Sequence, residues 1–332
     1  MNNTLTLFIC ITGIYTSFIT WGYLQEQITI QKFGPNNEQF HAPFIINLVQ
    51  NLFGFIVGYI YLYWKTSNST IKVSIFNKNL IKSLVLISLT QSLSSPIGLS
   101  STNHLGYLLY TLSKSCKLIP VMIVQYVLYQ KRFPRYKYLV VGIVTIGVVL
   151  FTLGLPSKKN SSDINGNLSI GLLYIFISLL LDGLTNSLQD DLFKKNQNLS
   201  GAHLMTGLNL VSFILTLGYT TILSNQLKYS IDFISQYPSI LKEIVLYAVC
   251  GALGQIFIFI TLEKFGSLIL VTITVTRKMI SMLLSVFLFG HDLNLNQWSG
   301  LFLVFGGIGL EAYLKLNQKK QSTITTDTKK EK

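Results

Sequence analysis

Charge is what this chain has least of. Asp, Glu, Lys and Arg make up 12% of its 332 residues, about half the fraction of a soluble globular domain. Histidine is also scarce: His41, His104, His203 and His291 are scattered, and only His291-Asp292 forms an adjacent pair. A membrane-embedded transferase would need convergent carboxylates or His/Asp groups for acid–base work, so their absence argues against an enzyme. The three cysteines, Cys10, Cys116 and Cys250, are odd in number and lie in apolar windows, which excludes a disulfide framework. They read as small packing residues, although Cys116 beside Lys117 is placed where a reactive thiolate would sit. No G-x-x-x-x-G-K-[ST] loop is present, and the Gly306–Gly309 run opens no βα unit, so neither ATP hydrolysis nor a dinucleotide cofactor is implied. No metal or other cofactor is called for. The first apolar window has no basic residue before it and no small-x-small site after it, and reads as a membrane span rather than a signal peptide. Short alternating segments of β-barrel type are missing as well.

What is present is apolar length. Half the residues are hydrophobic, and windows long enough to cross a bilayer recur throughout. They imply an all-α polytopic membrane protein with ten transmembrane helices, near residues 5–24, 42–64, 80–102, 107–130, 137–155, 168–189, 203–224, 243–262, 267–289 and 297–314. Of the 26 Lys and Arg residues, seventeen fall on one side of this scheme, five on the other, and four inside spans. The positive-inside bias puts both termini in the cytosol. The net charge of +13 is thus a matter of topology, and no nucleic-acid partner follows from it. Residues 317–332 are polar and basic, a tail expected to stay disordered. Sequons at Asn160 and Asn167 fall on the luminal side.

The two halves echo each other. Leu24-Gln25-Glu26 closes the first span and Leu188-Gln189-Asp190 the sixth. Lys117 and Lys278 lie at a similar offset, each followed by glycines. With five spans apiece, residues 1–155 and 156–316 form two five-helix repeats of opposite orientation, an architecture that places a substrate site at the midplane.

The four intramembrane cations are Lys114, Lys117, Arg277 and Lys278. Lys117 and Lys278 lie ~15 Å deep by helix rise. Each costs ~2.5–3.5 kcal/mol on insertion scales. Asp182 is the one acid well inside a span; Glu26 and Asp190 stand at span ends as further charge-balancing or gating groups. Internal ion pairs that tie helices together are one reading of this set. An anion site completed by ligand phosphates is the other, favoured by the surplus of positive charge. Pro120 removes a backbone donor and clashes with the Cys116 carbonyl, which predicts a kink beside Lys117, either a hinge or a packing adjustment. Gln25, Asn186, Gln189, Asn209, Gln255 and Thr276 are polar residues able to bind a base or sugar, and Tyr107, Tyr110 and Tyr126 are rings able to stack one; helix packing is the plainer role for each. A non-transporting scaffold would have no need of four such cations.

At "LSKSCKLIPVM", "LLLDGLTNSLQDD", "FGSLILVTITVTRK" and "WGYLQEQIT", the chain resembles the nucleotide-sugar transporters of solute carrier family 35, in the B branch that contains UDP-galactose transporter homologues of the endoplasmic reticulum. The resemblance covers roughly residues 15–315 and implies the drug/metabolite transporter type of fold. It implies a central phosphate site in which the cations are Lys114, Lys117, Arg277 and Lys278. Leu118 stands where the family usually has Pro, so a milder kink is expected. The branch has been linked to UDP-sugars and to ATP/ADP exchange; UDP-galactose, UDP-glucose or a nucleotide is the implied substrate. Lys329-Lys330 resembles a cytosolic dilysine signal read by coat-protein retrieval machinery, which implies residence in the endoplasmic reticulum membrane. A solvated basic tail is the alternative.

Overall fold

The computed structural model describes residues 3–35, 37–67, 78–116, 118–130, 132–154, 168–196, 199–290 and 293–327. Among them the only extended feature is an isolated antiparallel bridge between Phe33 and Glu38. Helices account for the rest of the framework: α1 (Asn3–Ile30), α2 (Pro43–Ser67), α3 (Lys78–Ser100), α4 (Thr102–Leu105), α5 (Tyr107–Ser115), α6 (Leu118–Tyr129), α7 (Arg135–Leu153), α8 (Leu168–Lys195), α9 (Gly201–Gly218) with a π-helical turn over Tyr219–Leu223, α10 (Gln226–Gln236), α11 (Ser239–Leu288) and α12 (Leu295–Asp327). Seven of the described helices are long and apolar enough to cross a membrane, and α5 with α6 makes an eighth if the bent pair is one span. The protein is therefore all-helical and polytopic. The expected spans at 267–289 and 297–314 fall on helical segments outside that set. Helix α12 also continues past Asn317, where the sequence predicts the tail to begin.

Polar and apolar residues are distributed inside out. Ile56, Tyr59, Ile60, Tyr63 and Trp64 repeat at helical spacing along α2 and are exposed, while Ser88, Ser94, Ser178 and Ser212 are buried between helices. That is the arrangement a hydrocarbon solvent selects, because polar groups must find partners inside the bundle.

Helix α11 is continuous in conformation but cannot be straight. Along its first limb, Phe257 meets Gly13, Gly254 meets Phe18, and Gly251 meets Trp21, so it runs antiparallel to α1. Along its second limb, Thr276 meets Tyr15, Arg277 meets Phe18, and Ser285 meets Glu26, so it runs parallel to α1. Gly254 and Arg277 touch the same phenylalanine, yet would stand ~35 Å apart on a straight helix. The chain must reverse between the limbs, near the loop predicted around 263–266.

Three other helix pairs pack antiparallel. Helices α2 and α9 meet where Gly54 faces Asn209 and Gly58 faces Thr206. Between α3 and α8, Thr90 bonds Thr185 (2.7 Å) and Ser178 donates to the Ser94 carbonyl (2.6 Å). Helices α7 and α12 come closest at Gly147 and Gly300, where a Cβ on either would lie 2.8 or 2.5 Å from the other's carbonyl oxygen. Only glycine permits that approach.

Outside the bundle, α10 occupies part of the predicted loop between the seventh and eighth spans. Phe233 on α10 packs with Phe33 and Phe40 of the segment joining α1 to α2, with ring centroids 5.5 and 5.4 Å away.

Candidate functional site

The site begins at the break between α5 and α6. Helix α5 ends at Ser115, and the chain restarts as helix at Leu118. Pro120 is the third residue of α6, within the first turn, where a missing N–H costs nothing. The two segments differ in direction by 45°. Thus the predicted kink is present, and it takes the form of a helix end and a new start. Pro120 is buried, and its backbone lies against Gly183 of α8. Lys117 lies outside the described residues.

One turn before the break, Lys114 projects between α3 and α8. Its ammonium donates to Asp182 Oδ2 at 2.7 Å, to Ser178 Oγ at 2.6 Å and to Ser94 Oγ at 3.4 Å. Ser94 in turn donates to the other oxygen of Asp182. All three ammonium protons thus have acceptors, and the charge is matched by a carboxylate. The pair retains 19% and 30% side-chain exposure, so it is only partly buried. Of the two roles the sequence holds open for intramembrane cations, Lys114 occupies the internal ion pair here. Ser94 and Ser178 are absent from the sequence-based set of site residues. Ser178 had a readable signal, since it precedes Asp182 by one turn and so shares its face.

Across the bundle, the second limb of α11 carries Arg277 and Lys278. The Arg277 guanidinium carbon sits 4.6 Å from the centre of the Phe18 ring. Its Nε is buried without a hydrogen-bond partner. Lys278 follows Arg277 on the same limb, and α11 is in contact with α5. Of the described cations, Lys114 is thus paired with a carboxylate and Arg277 is set over an aromatic ring. Cys116 itself is buried, with its thiol 3.4 Å from the Leu112 carbonyl, in the manner of a packing residue.

Toward the start of α5 a small cleft opens between α1, α5 and the second limb of α11. Its polar lining is Glu26, Tyr107, Thr111, Ser281 and Ser285. Glu26 is 1% exposed and accepts a 2.5 Å hydrogen bond from Ser285. Ser281 follows Arg277 by one turn, so the arginine lies beneath this cleft. Gln25 is held among tyrosines: it accepts from the Tyr107 hydroxyl at 3.1 Å, and its amide lies 3.4 Å from the Tyr247 hydroxyl. Tyr110 is buried, with its ring 5.8 Å from that of Tyr107. Trp21 stacks on Tyr247 at 5.0 Å and donates to Gln50 at 3.1 Å.

The remaining predicted residues are more dispersed. Gln189 and Asp190 lie near the end of α8, with Asp190 exposed. Gln255 accepts from Asn209 at 3.4 Å. Asn186 donates to the Asp182 carbonyl of its own helix at 2.7 Å. Thr276 bonds Tyr15 at 2.5 Å. Tyr126 is 54% exposed and sits on the outer surface. Asn160, Asn167, His291, Asp292, Lys329 and Lys330 lie outside the described residues. Among the described residues, no group of three or more His, Cys, Asp or Glu could hold a metal ion.

Comparison with known proteins adds the following. The sequence profile of the UAA transporter family matches residues 6–315. A protein of Candida albicans called "UDP-galactose transporter homolog 1" is 50% identical over 350 aligned positions, covering 99% of this chain and 94% of that protein. The Saccharomyces cerevisiae protein of the same description is 41% identical, with 96% of each chain covered. A solved crystal structure at 10% identity superposes with a TM-score of 0.51 over 90% of this chain and 96% of the other, a likeness of fold alone.

Proposed function

Because the chain belongs to the UAA transporter family, we propose that it is an antiporter exchanging nucleotide sugars, UDP-galactose or UDP-glucose, for nucleotides across the endoplasmic reticulum membrane. The observation that carries this reading is Arg277, set over an aromatic ring inside an apolar bundle with its Nε unpartnered. Lys278 lies on the second limb of α11, and in the sequence Lys117 follows α5. Arg277 stands one residue away on the same limb, with no carboxylate contact among the described residues. A diphosphate offers the charge and acceptors that such a cluster needs. Lys114 fits the charge-balancing role, with Asp182 as its partner, and Glu26 holds the wall of the adjoining cleft. The names of the relatives point to UDP-galactose; the neutral groups around Gln25 and Tyr110 suit a base or sugar.

Residues 1–155 and 156–316 act as inverted repeats in this scheme, with ten spans and both termini cytosolic. The pattern of helix pairs supports it. Exchanging the halves turns the pair of α1 and the first limb of α11 into the pair of α8 and α3. It likewise turns α1 with the second limb into α8 with α6, and returns α2–α9 and α7–α12 to themselves. Each of these pairs is in contact. Exchange rather than one-way flow follows from electrostatics. An empty site holds a surplus of positive charge that is costly to occlude from water, whereas a loaded one is neutralised. The bend at Pro120 is where such rocking would be absorbed.

The test is reconstitution of the full chain in proteoliposomes, scored for uptake of labelled UDP-galactose, UDP-glucose, UDP, ATP and ADP. Saturable uptake stimulated by internal nucleotide is the expected result. Selective uptake of ATP and ADP alone would move the substrate to the adenine nucleotides, and uptake indifferent to internal nucleotide would refute antiport.

A further inference from the structure

We propose that Phe18 is a positioning residue for the anion site, holding the Arg277 guanidinium by its flat face so that its edge N–H groups stay available to phosphate. This rests on the phosphate-site reading above. A guanidinium has two recognition surfaces: its planar face stacks on aromatic rings, and its rim of N–H donors forks onto oxyanions. A carboxylate partner would occupy the rim and compete with phosphate, whereas a ring occupies the face and leaves the rim alone.

The geometry fits that division. Arg277 Cζ lies 4.6 Å from the Phe18 centroid, and its buried Nε–H has no acceptor. The ring is itself held in place. Phe18 packs against Gly254 on the other limb of α11, and stands edge-on to Trp21 at 6.3 Å and 75°. One turn earlier, Tyr15 hydrogen-bonds Thr276, the neighbour of Arg277, at 2.5 Å. Phe18 is therefore wedged in the α11 hairpin, bridging its two limbs.

The second half of the chain offers an internal comparison. Phe18 precedes Glu26 by eight residues in the first span, and Asp182 precedes Asp190 by eight in the sixth, so the two hold matching places relative to the repeated Leu-Gln-acid ends. Each faces a cation from a helix of the other half: Asp182 faces Lys114, and Phe18 faces Arg277. At one of these places the cation is neutralised and its donors are filled. At the other the cation is supported by a ring and meets no carboxylate among the described residues. The asymmetry assigns locking to one cation and ligand capture to the other.

The test replaces Phe18 in the full chain with mono-, di- and trifluorinated phenylalanine. These keep the ring's shape while draining negative potential from its face, the origin of its attraction for a cation. Phe18→Leu serves as the aliphatic end point. Uptake of labelled UDP into proteoliposomes and the melting temperature in detergent are read for each variant. The expected result is a KM that climbs stepwise with fluorination to about tenfold, with little change in maximal rate. Saturable wild-type uptake with a flat KM across the series would overturn the role of Phe18 alone. So would a series in which only the melting temperature moves, as for a ring that merely packs. Wild-type vesicles with no saturable uptake would overturn the phosphate-site reading, and this proposal with it.

Discussion

Cutting the Lys114–Asp182 pair from each side tells whether Lys114 is a lock or a ligand. The pair closes at 2.7 Å, is 19% and 30% exposed, and carries Ser178 and Ser94 as additional partners. Breaking a buried ion pair from one side costs about 3–5 kcal/mol, because the surviving charge is left uncompensated. Residual exposure moves the estimate to the lower end, about 3 kcal/mol for Asp182→Ala. Lys114→Ala should cost less, since the Asp182 carboxylate keeps Ser94 as a donor. The double variant removes both charges, and the cycle should return a coupling energy of about 1.5–3 kcal/mol. The melting temperature of Asp182→Ala should fall by roughly 6–12 °C, at the 2–4 °C per kcal/mol of a somewhat smaller chain. The assay is thermal unfolding of the four proteins in one detergent, followed by tryptophan fluorescence. Single-variant losses that simply add would refute the lock and return Lys114 to the pool of substrate ligands.

Three other outcomes follow from packing. Gly147→Val places a branched side chain where even a Cβ would be 2.8 Å from the Gly300 carbonyl, so α7 and α12 must separate; a loss of about 1–3 kcal/mol is expected, seen as a lower melting temperature. Phe233→Ala removes a 4%-exposed ring from the aromatic cluster that ties α10 to Phe33 and Phe40, and should cost about 3–5 kcal/mol in the same assay. With Cys10 and Cys250 replaced by alanine, Cys116 should resist a membrane-impermeant maleimide, because its thiol is buried. Rapid labelling of the folded protein would show that the thiol is open to water.

The kink was legible because its cause is local: Pro120 cannot coexist with a helical Cys116 carbonyl, and the helix duly ends at Ser115 and restarts at Leu118. The α3–α8 contact was half legible. Asp182 stood out as the one acid deep in a span, but serines are too common in membrane helices for Ser94 and Ser178 to stand out, and their role emerges only when the helices are brought together. Phe18 was silent, since one phenylalanine among 21 carries no mark of facing a cation. Helix α10 escaped notice for another reason. It has eleven residues, too few to span, and its buried Phe233 and Ser230 form a face that matters only against the residues joining α1 to α2. The reversal in α11 was anticipated, whereas the helical conformation of the joining residues was not: Gly266 is the one weak helix former in Glu263-Lys264-Phe265-Gly266.

The central claim is that cations gathered within the membrane hold a phosphorylated ligand, and calorimetric titration of UDP into the purified chain tests it most directly. Each charge-assisted contact contributes about 1.5–3 kcal/mol. The Lys117→Ala/Lys278→Ala variant should therefore bind UDP at least about a hundredfold more weakly than wild type while keeping its helical content. A folded double variant that binds UDP with wild-type affinity would contradict the account.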